Sequence, residues 1–160
     1  MATTFGIGTT RDTLARDLII GFVAGAIAVA IFHQLMVFLL TQAGMLPSTA
    51  RVYNMAPVAP FGVPTIINQM FWGGMWGLVL GFLANRFGGR WPIWLMGLLL
   101  GAIALPLVGW FVVAPIKGQP VAAGWNTTRM LASVLINAGW GLGAGLLFML
   151  GRNLLARRRF

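Results

Sequence analysis

Acidic side chains are almost missing from this sequence. Its 160 residues include only Asp12 and Asp17 as carboxylates, a single histidine, His33, and no cysteine. The lack of cysteine excludes disulfides, thiolate metal sites and thiol nucleophiles. One histidine and two neighbouring aspartates supply no acid–base pair, no nucleophile–base pair and no metal-ligand cluster. The sequence therefore predicts a protein that is not an enzyme, with no metal site and no cofactor.

Charge of either sign is also scarce. Charged residues make up 8% of the chain and hydrophobic residues 59%, whereas about a quarter of a soluble domain is charged. The formal net charge is +9, but the basic residues stand at the edges of apolar runs and do not line one polar face. This distribution is typical of membrane-flanking positive charge and argues against a nucleic-acid partner.

Four long apolar segments are what the sequence does contain. Each has about 19–23 residues, or about 29–35 Å as a helix, which matches the hydrocarbon thickness of a bilayer. We therefore predict an all-α fold: an integral membrane four-helix bundle forming one transmembrane domain over residues 1–160. A short N-terminal surface helix is predicted from the polar start at Thr9–Asp12. The predicted spans are Leu18–Leu40, Thr65–Leu83, Trp91–Val113 and Met130–Leu150.

The basic residues predict the orientation. Positive charge concentrates on the cytoplasmic side of membrane proteins, so the side with more arginine and lysine is predicted to be cytoplasmic. One side has Arg11, Arg16, Arg86, Arg90, Arg152, Arg157, Arg158 and Arg159; the other has Arg51, Lys117 and Arg129. We expect a bacterial inner-membrane protein with both termini in the cytoplasm. The short Asn85–Arg90 turn further predicts that the second and third spans are antiparallel neighbours.

Small residues recur four positions apart in every predicted span. Such rows let helix backbones approach closely, where van der Waals contact drives association in lipid. The rows predict tight packing, either within the bundle or against another chain. The predicted packing glycines are Gly21, Gly25, Gly73, Gly77, Gly81, Gly97, Gly101, Gly141 and Gly145.

Polar side chains inside the spans fall in the half predicted to face outward. We interpret them as lining a small outward cleft for a ligand, with Arg129 near its mouth. The alternative is that these amides only form hydrogen bonds between helices, at about 0.6 kcal/mol each. An ionisable group within a span favours a functional role. The candidate lining residues are His33, Gln34, Asn68, Gln69 and Asn137.

Two pairs of segments resemble each other within the chain. Gly21–Ala28 resembles Gly97–Ala104, and Trp76–Leu78 resembles Trp140–Leu142. Two helical hairpins related in parallel would explain the matches. Chance similarity between glycine-rich helices would explain them as well.

Several segments of the chain form a recognisable set: Gly25–Ala28 with Phe32–Gln34, Pro60–Pro64 with Phe71–Gly77, Lys117–Pro120 and Asn137–Gly143. Together they resemble those of a group of uncharacterised four-span inner-membrane proteins of proteobacteria. The resemblance covers most of the chain and implies the four-span layout, without an activity.

These observations leave three hypotheses for function. The first is an accessory or assembly subunit of a membrane complex, acting through a protein partner within the bilayer. The second is a small homo-oligomeric channel or uptake protein for a neutral or anionic solute. The third is a binder of lipid, or of a pigment or haem through His33 as an axial ligand. All three place the protein in contact with the lipid bilayer.

Overall fold

The computed structural model describes residues 8–157, and their side chains from Thr13 onward. Within this part, four helices are long and apolar enough to cross a membrane. This confirms the predicted helical class and the four long apolar segments. The side chains of Arg11 and Asp12, and residues 158–160, lie outside the described part. We call the four helices spans 1 to 4: Thr13–Gln42, Thr65–Phe87, Ile93–Ile116 and Thr127–Arg157.

Span 1 joins α1 (Gly8–Ala28) and α2 (Gln34–Gln42) through a π-helical turn at Val29–His33. Helix α1 begins at Gly8 and runs on into span 1, so the polar segment from which a surface helix is predicted forms the first turns of α1 here. Span 2 is the single helix α3 (Thr65–Phe87). Pro64 precedes it as the N-cap, where the lack of an N–H costs nothing.

Span 3 contains two wide turns. Helices α4 (Ile93–Leu99), α5 (Leu105–Val108) and α6 (Ala114–Ile116) are joined by π turns at Leu100–Ala104 and Gly109–Val113. Each π turn ends two residues before a proline, Pro106 or Pro115. A proline ring clashes with the carbonyl four residues earlier, and the wider turn relieves that clash. Span 3 therefore remains helical beyond Val113, where the sequence predicts its end.

Span 4 is the single helix α7 (Thr127–Arg157), longer at both ends than predicted. The side-chain oxygen of Asn126 accepts a hydrogen bond of 3.0 Å from the backbone N–H of Arg129, which caps its first turn. The loop before span 2 contains two short antiparallel strands, β1 (Pro57–Val58) and β2 (Val63–Pro64). A 3₁₀ turn at Val121–Trp125 precedes span 4.

Span 1 packs on span 2, span 3 on span 4, and span 1 on span 4. Spans 2 and 3 approach each other mainly through α4, next to the Asn85–Arg90 turn that joins them. The predicted antiparallel neighbours therefore contact each other beside this turn and diverge beyond it. Their separation leaves an opening at the end of the bundle that carries the two long loops, which we call the loop end. The opposite end is the termini end.

Glycines form the contact between spans 1 and 2. A Cβ built on Gly21 would overlap the backbone carbonyl of Gly77, and one on Gly25 would overlap that of Gly73. Gly81 packs in the same way on the backbone of Asp17. These rows therefore pack within the bundle.

The contact between spans 3 and 4 repeats this pattern. A Cβ on Gly97 would overlap the carbonyl of Gly141, and one on Gly101 would overlap that of Asn137. Gly145 packs on the backbone of Ile93 and Trp94. Both sets of backbone contacts thus join the two helices of one hairpin to each other.

The two sets of contacts correspond position by position. Residues of span 1 map onto span 3 residues 76 positions later, as Gly21 maps onto Gly97. Residues of span 2 map onto span 4 residues 64 positions later, as Gly77 maps onto Gly141. The same offsets relate the contact of Gly81 with Asp17 to that of Gly145 with Ile93. This correspondence favours two hairpins related in parallel.

Candidate ligand-binding cleft

A cleft of about 640 Å³ lies between spans 2 and 3. Spans 1 and 4 form its floor, and the cleft is open on the side where spans 2 and 3 diverge. Apolar and aromatic side chains make up most of its wall, including Trp72, Trp76 and Trp140. The polar lining residues are His33, Asn68, Gln69, Lys117, Ser133 and Asn137.

The correspondence between hairpins explains why the cleft is open. The interface of spans 2 and 3 is the counterpart of the packed interface of spans 1 and 4. In the packed interface, Gly139 faces the side chain of Met36 and Gly143 faces the ring of Phe32.

In the open interface, the counterparts of both glycines are larger. Met75 corresponds to Gly139 and Val79 to Gly143, and both side chains line the cleft. Val108 takes the place of Phe32 on span 3. Because neither of these two positions on span 2 is a glycine, span 2 lacks the holes that let span 4 approach span 1.

The structure brings together four of the six candidate ligand residues. His33, Asn68, Gln69 and Asn137 line the cleft from spans 1, 2 and 4. Gln34 is buried beside the cleft and reaches it only through its hydrogen bonds.

Arg129, the sixth candidate, lies outside the main cleft. It lines an adjoining cavity of about 540 Å³ at the loop end. Ser133 lines both cavities.

Gln34 fixes the orientation of its neighbours. The backbone N–H of Tyr53 donates to Gln34 Oε1 at 2.9 Å, and a backbone N–H can only donate. The amide nitrogen of Gln34 is therefore the atom that lies 3.3 Å from His33 Nδ1 and 3.4 Å from Gln69 Oε1. In a neutral His33, Nδ1 then accepts, and the proton is on Nε2.

The loop before span 2 is tied to span 1 at the π turn. The Gln34 backbone N–H donates to the carbonyls of Ile31 and Val29, and not to the Ala30 carbonyl four residues back. The Tyr53 hydroxyl donates to that Ala30 carbonyl at 2.9 Å. The widened turn thus provides an acceptor for the loop directly behind His33.

The cleft therefore offers hydrogen-bond donors and acceptors but no carboxylate. The Asn137 amide nitrogen donates to the Ser133 carbonyl at 2.8 Å, which leaves its side-chain oxygen as the group able to accept. The Gln69 oxygen accepts from Gln34, which leaves the Gln69 amide nitrogen as a donor. Lys117 adds a cationic group at the loop end. This set suits a ligand with a polar, uncharged or anionic group attached to an apolar body.

Sequence reasoning missed several lining residues. Lys117 enters the sequence prediction only through its charge, and the tryptophans Trp72, Trp76 and Trp140 are not among the predicted lining residues. A second missed group is the buried carboxylate of Asp17 at the termini end, which pairs with Arg152 and accepts from Asn85. Nothing local distinguishes Asp17 from an ordinary flanking charge, because its partners lie 68 and 135 positions away.

No group of three or more metal-binding side chains occurs among residues 13–157. Comparison of the chain with protein-family models, curated proteins and solved structures finds no match. The function is therefore inferred from the geometry of the cleft and from the sequence.

Proposed function

We propose that this chain is a non-enzymatic, multi-pass protein of a bacterial inner membrane, with both termini in the cytoplasm. It binds an amphipathic molecule in the cleft between spans 2 and 3. The observation that supports this most is the convergence of His33, Gln69 and Asn137 on one apolar, open-sided cleft. The proposal belongs to the lipid-binding hypothesis and uses His33 as a hydrogen-bonding group.

The size of the cleft favours a small molecule over a helix. Ligand sites in proteins are typically about 300–1,000 Å³, a range that includes the 640 Å³ of the cleft. A transmembrane helix about 30 Å long and 10 Å wide occupies roughly 2,400 Å³. Most of the volume of a partner helix would therefore lie outside the cleft.

The position of the opening favours access from the lipid. Trp72 is 55% exposed at the rim of the cleft, and Met75 and Val79 are also exposed there. In a bilayer these apolar side chains face acyl chains, so an amphipathic molecule can enter sideways while its polar group reaches His33. The open side needs no water-filled pore.

The experiment is identification of what the protein retains. We would extract it gently, record native mass spectra, and compare wild type with the double variant His33→Ala/Asn137→Leu. We expect the wild type to retain a small amphipathic molecule and the variant to lose at least nine-tenths of it. Ile67→Ala is the matched control, because Ile67 is half-exposed on span 2 and does not line the cleft. Equal retention by all three proteins would overturn the proposal.

A second candidate is the accessory or assembly subunit. Its support is a group of exposed apolar side chains at the loop end: Met55, Phe61, Ile116 and Trp125 are 65%, 87%, 79% and 69% exposed. Such side chains suit either the membrane interface or a protein partner. The same native spectra test this: a hetero-complex supports the accessory subunit, and a homo-oligomer supports the small channel.

A further inference from the structure

The second cavity adjoins the cleft. It lies at the loop end between span 3, the Lys117–Trp125 segment and the start of span 4, and its polar lining residues are Gln119, Arg129 and Ser133. Gly109 and Ser133 line this cavity and the cleft alike. The two cavities therefore meet at these two residues.

Gly109 leaves the connection between the cavities unobstructed. A Cβ built on Gly109 would meet nothing within 4 Å. The packing glycines differ from Gly109 in this respect, since a Cβ on Gly21 or Gly97 would overlap a backbone carbonyl. The open space beside Gly109 is therefore not required for helix contact.

Each cavity has one cationic side chain, Lys117 in the cleft and Arg129 in the second cavity. The sequence contains no carboxylate side chain after Asp17, so the loop end has no internal counterion for them. An arginine guanidinium binds phosphate through paired hydrogen bonds. A phosphate group would supply the missing negative charge.

The backbone beside Arg129 is held in an uncommon conformation. Ala122 and Ala123 have φ of 50° and 55°, and Ala123 lines the second cavity. The left-handed region is unfavourable for L-residues other than glycine. Such conformations cluster at binding and catalytic sites. Ala123 and Arg129 thus line the same cavity.

We infer that the two cavities form one site for an anionic phospholipid. Arg129 and Gln119 hold the phosphate of the head group. An acyl chain of the lipid passes Gly109 and Ser133 into the cleft. This inference rests on the proposed function and adds the class of ligand and the place of its charge.

The test is lipid retention by the full-length protein in native mass spectra. Phosphatidylglycerol and phosphatidylcholine with identical acyl chains are added at equal concentration, with glycerol phosphate as a separate arm. We expect the wild type to favour phosphatidylglycerol at least tenfold, and Arg129→Gln to reduce this preference below threefold. Arg51→Gln is the control: Arg51 is exposed at the same end and lines neither cavity.

Gly109→Leu tests the connection. Its side chain would fill the space between the cavities, so we expect lipid retention to fall at least tenfold while the thermal midpoint changes little. Gly89→Leu is the control, because Gly89 also faces open space but lines neither cavity, and this variant should retain the lipid. If Gly109→Leu unfolds, Ser133→Leu provides the same test from span 4.

The outcomes separate the inference from the proposed function. Equal retention of both lipids overturns the anionic assignment and leaves the amphipathic cleft. Tight binding of glycerol phosphate alone shows a soluble phosphate as the ligand and overturns the lipid. Retention of neither lipid overturns both.

Discussion

Arg152 of span 4 holds the carboxylate of Asp17 in span 1. The Arg152 Nε donates to Asp17 Oδ1 at 3.1 Å, and its Nη2 pairs with Oδ2. The Asp17 side chain is 1% exposed, and Asn85 of span 2 donates to it at 2.9 Å. One carboxylate thereby joins three spans at the termini end.

Removing one partner of this ion pair should destabilise the fold. Arg152→Gln leaves the buried carboxylate with only Arg16 as a cationic neighbour, and breaking a buried pair costs about 3–5 kcal/mol. We expect a lower midpoint of thermal or detergent-induced unfolding. Asp17→Asn/Arg152→Gln should recover part of the loss, because no buried charge remains.

The control for the ion pair is Arg86→Gln, which removes an exposed arginine near the same end. It should change the midpoint little. A double variant no more stable than Arg152→Gln alone would contradict the account of an uncompensated carboxylate.

The packing glycines of both hairpins should not tolerate substitution by a larger residue. Gly21→Ala and Gly97→Ala each place a methyl group on a backbone carbonyl of the facing helix, which cannot move as a side chain can. We expect each to destabilise by about 1–3 kcal/mol, as overpacking does, with similar values because the two contacts correspond. Gly109→Ala, in open space, is the helical control. The measurement is the unfolding free energy of each variant.

Removing the large residues should allow the cleft to close. Met75→Gly/Val79→Gly gives span 2 glycines at the positions that correspond to Gly139 and Gly143 of span 4. We expect spans 2 and 3 to move together and binding in the cleft to weaken at least tenfold. Distances between spin labels on spans 2 and 3 would report the closure. Unchanged distances together with unchanged binding would contradict this explanation of the opening.

The Tyr53 hydroxyl should hold the loop on span 1. Tyr53→Phe removes its hydrogen bond to Ala30, worth about 1 kcal/mol or less at an exposed position. We expect faster hydrogen exchange in the loop from residue 46 to residue 64, with spans 2 and 4 unchanged. Val52→Ala, an exposed neighbour in the same loop, should leave the exchange rates as they are.

The absence of cysteine makes the orientation directly testable. Single variants Ser48→Cys and Ala156→Cys place one thiol in an exposed position at each end of the bundle. With a membrane-impermeant maleimide on intact cells of a bacterium with a permeabilised outer membrane, we expect labelling at residue 48 only. Labelling at 156 only would reverse the proposed topology.

The candidate site could be predicted in part, because its polar residues stand out in apolar segments. His33, Asn68, Gln69 and Asn137 stand out in this way, and the structure places all four around one cleft. Gln34 adjoins His33 but does not line the cleft, since the π turn that ends at His33 affects which side of the helix faces the cleft. Arg129 lies one helical turn before Ser133 on span 4, and it lines only the adjoining cavity.

The sequence by itself determined the four helices, because a helix satisfies its hydrogen bonds locally and its apolar length can be read along the chain. Only the tertiary structure decided which spans pack. Gly21 and Gly97 stand in similar segments, but the helix faces beside them differ. A distant residue of the facing helix decides whether two spans pack: Gly139 leaves a hole on span 4, whereas Met75 fills the corresponding position on span 2. It also decided that Asp17 is buried, because its partner Arg152 lies on the last helix. Helix association depends on the shapes of two distant surfaces together, and no single stretch of sequence contains both.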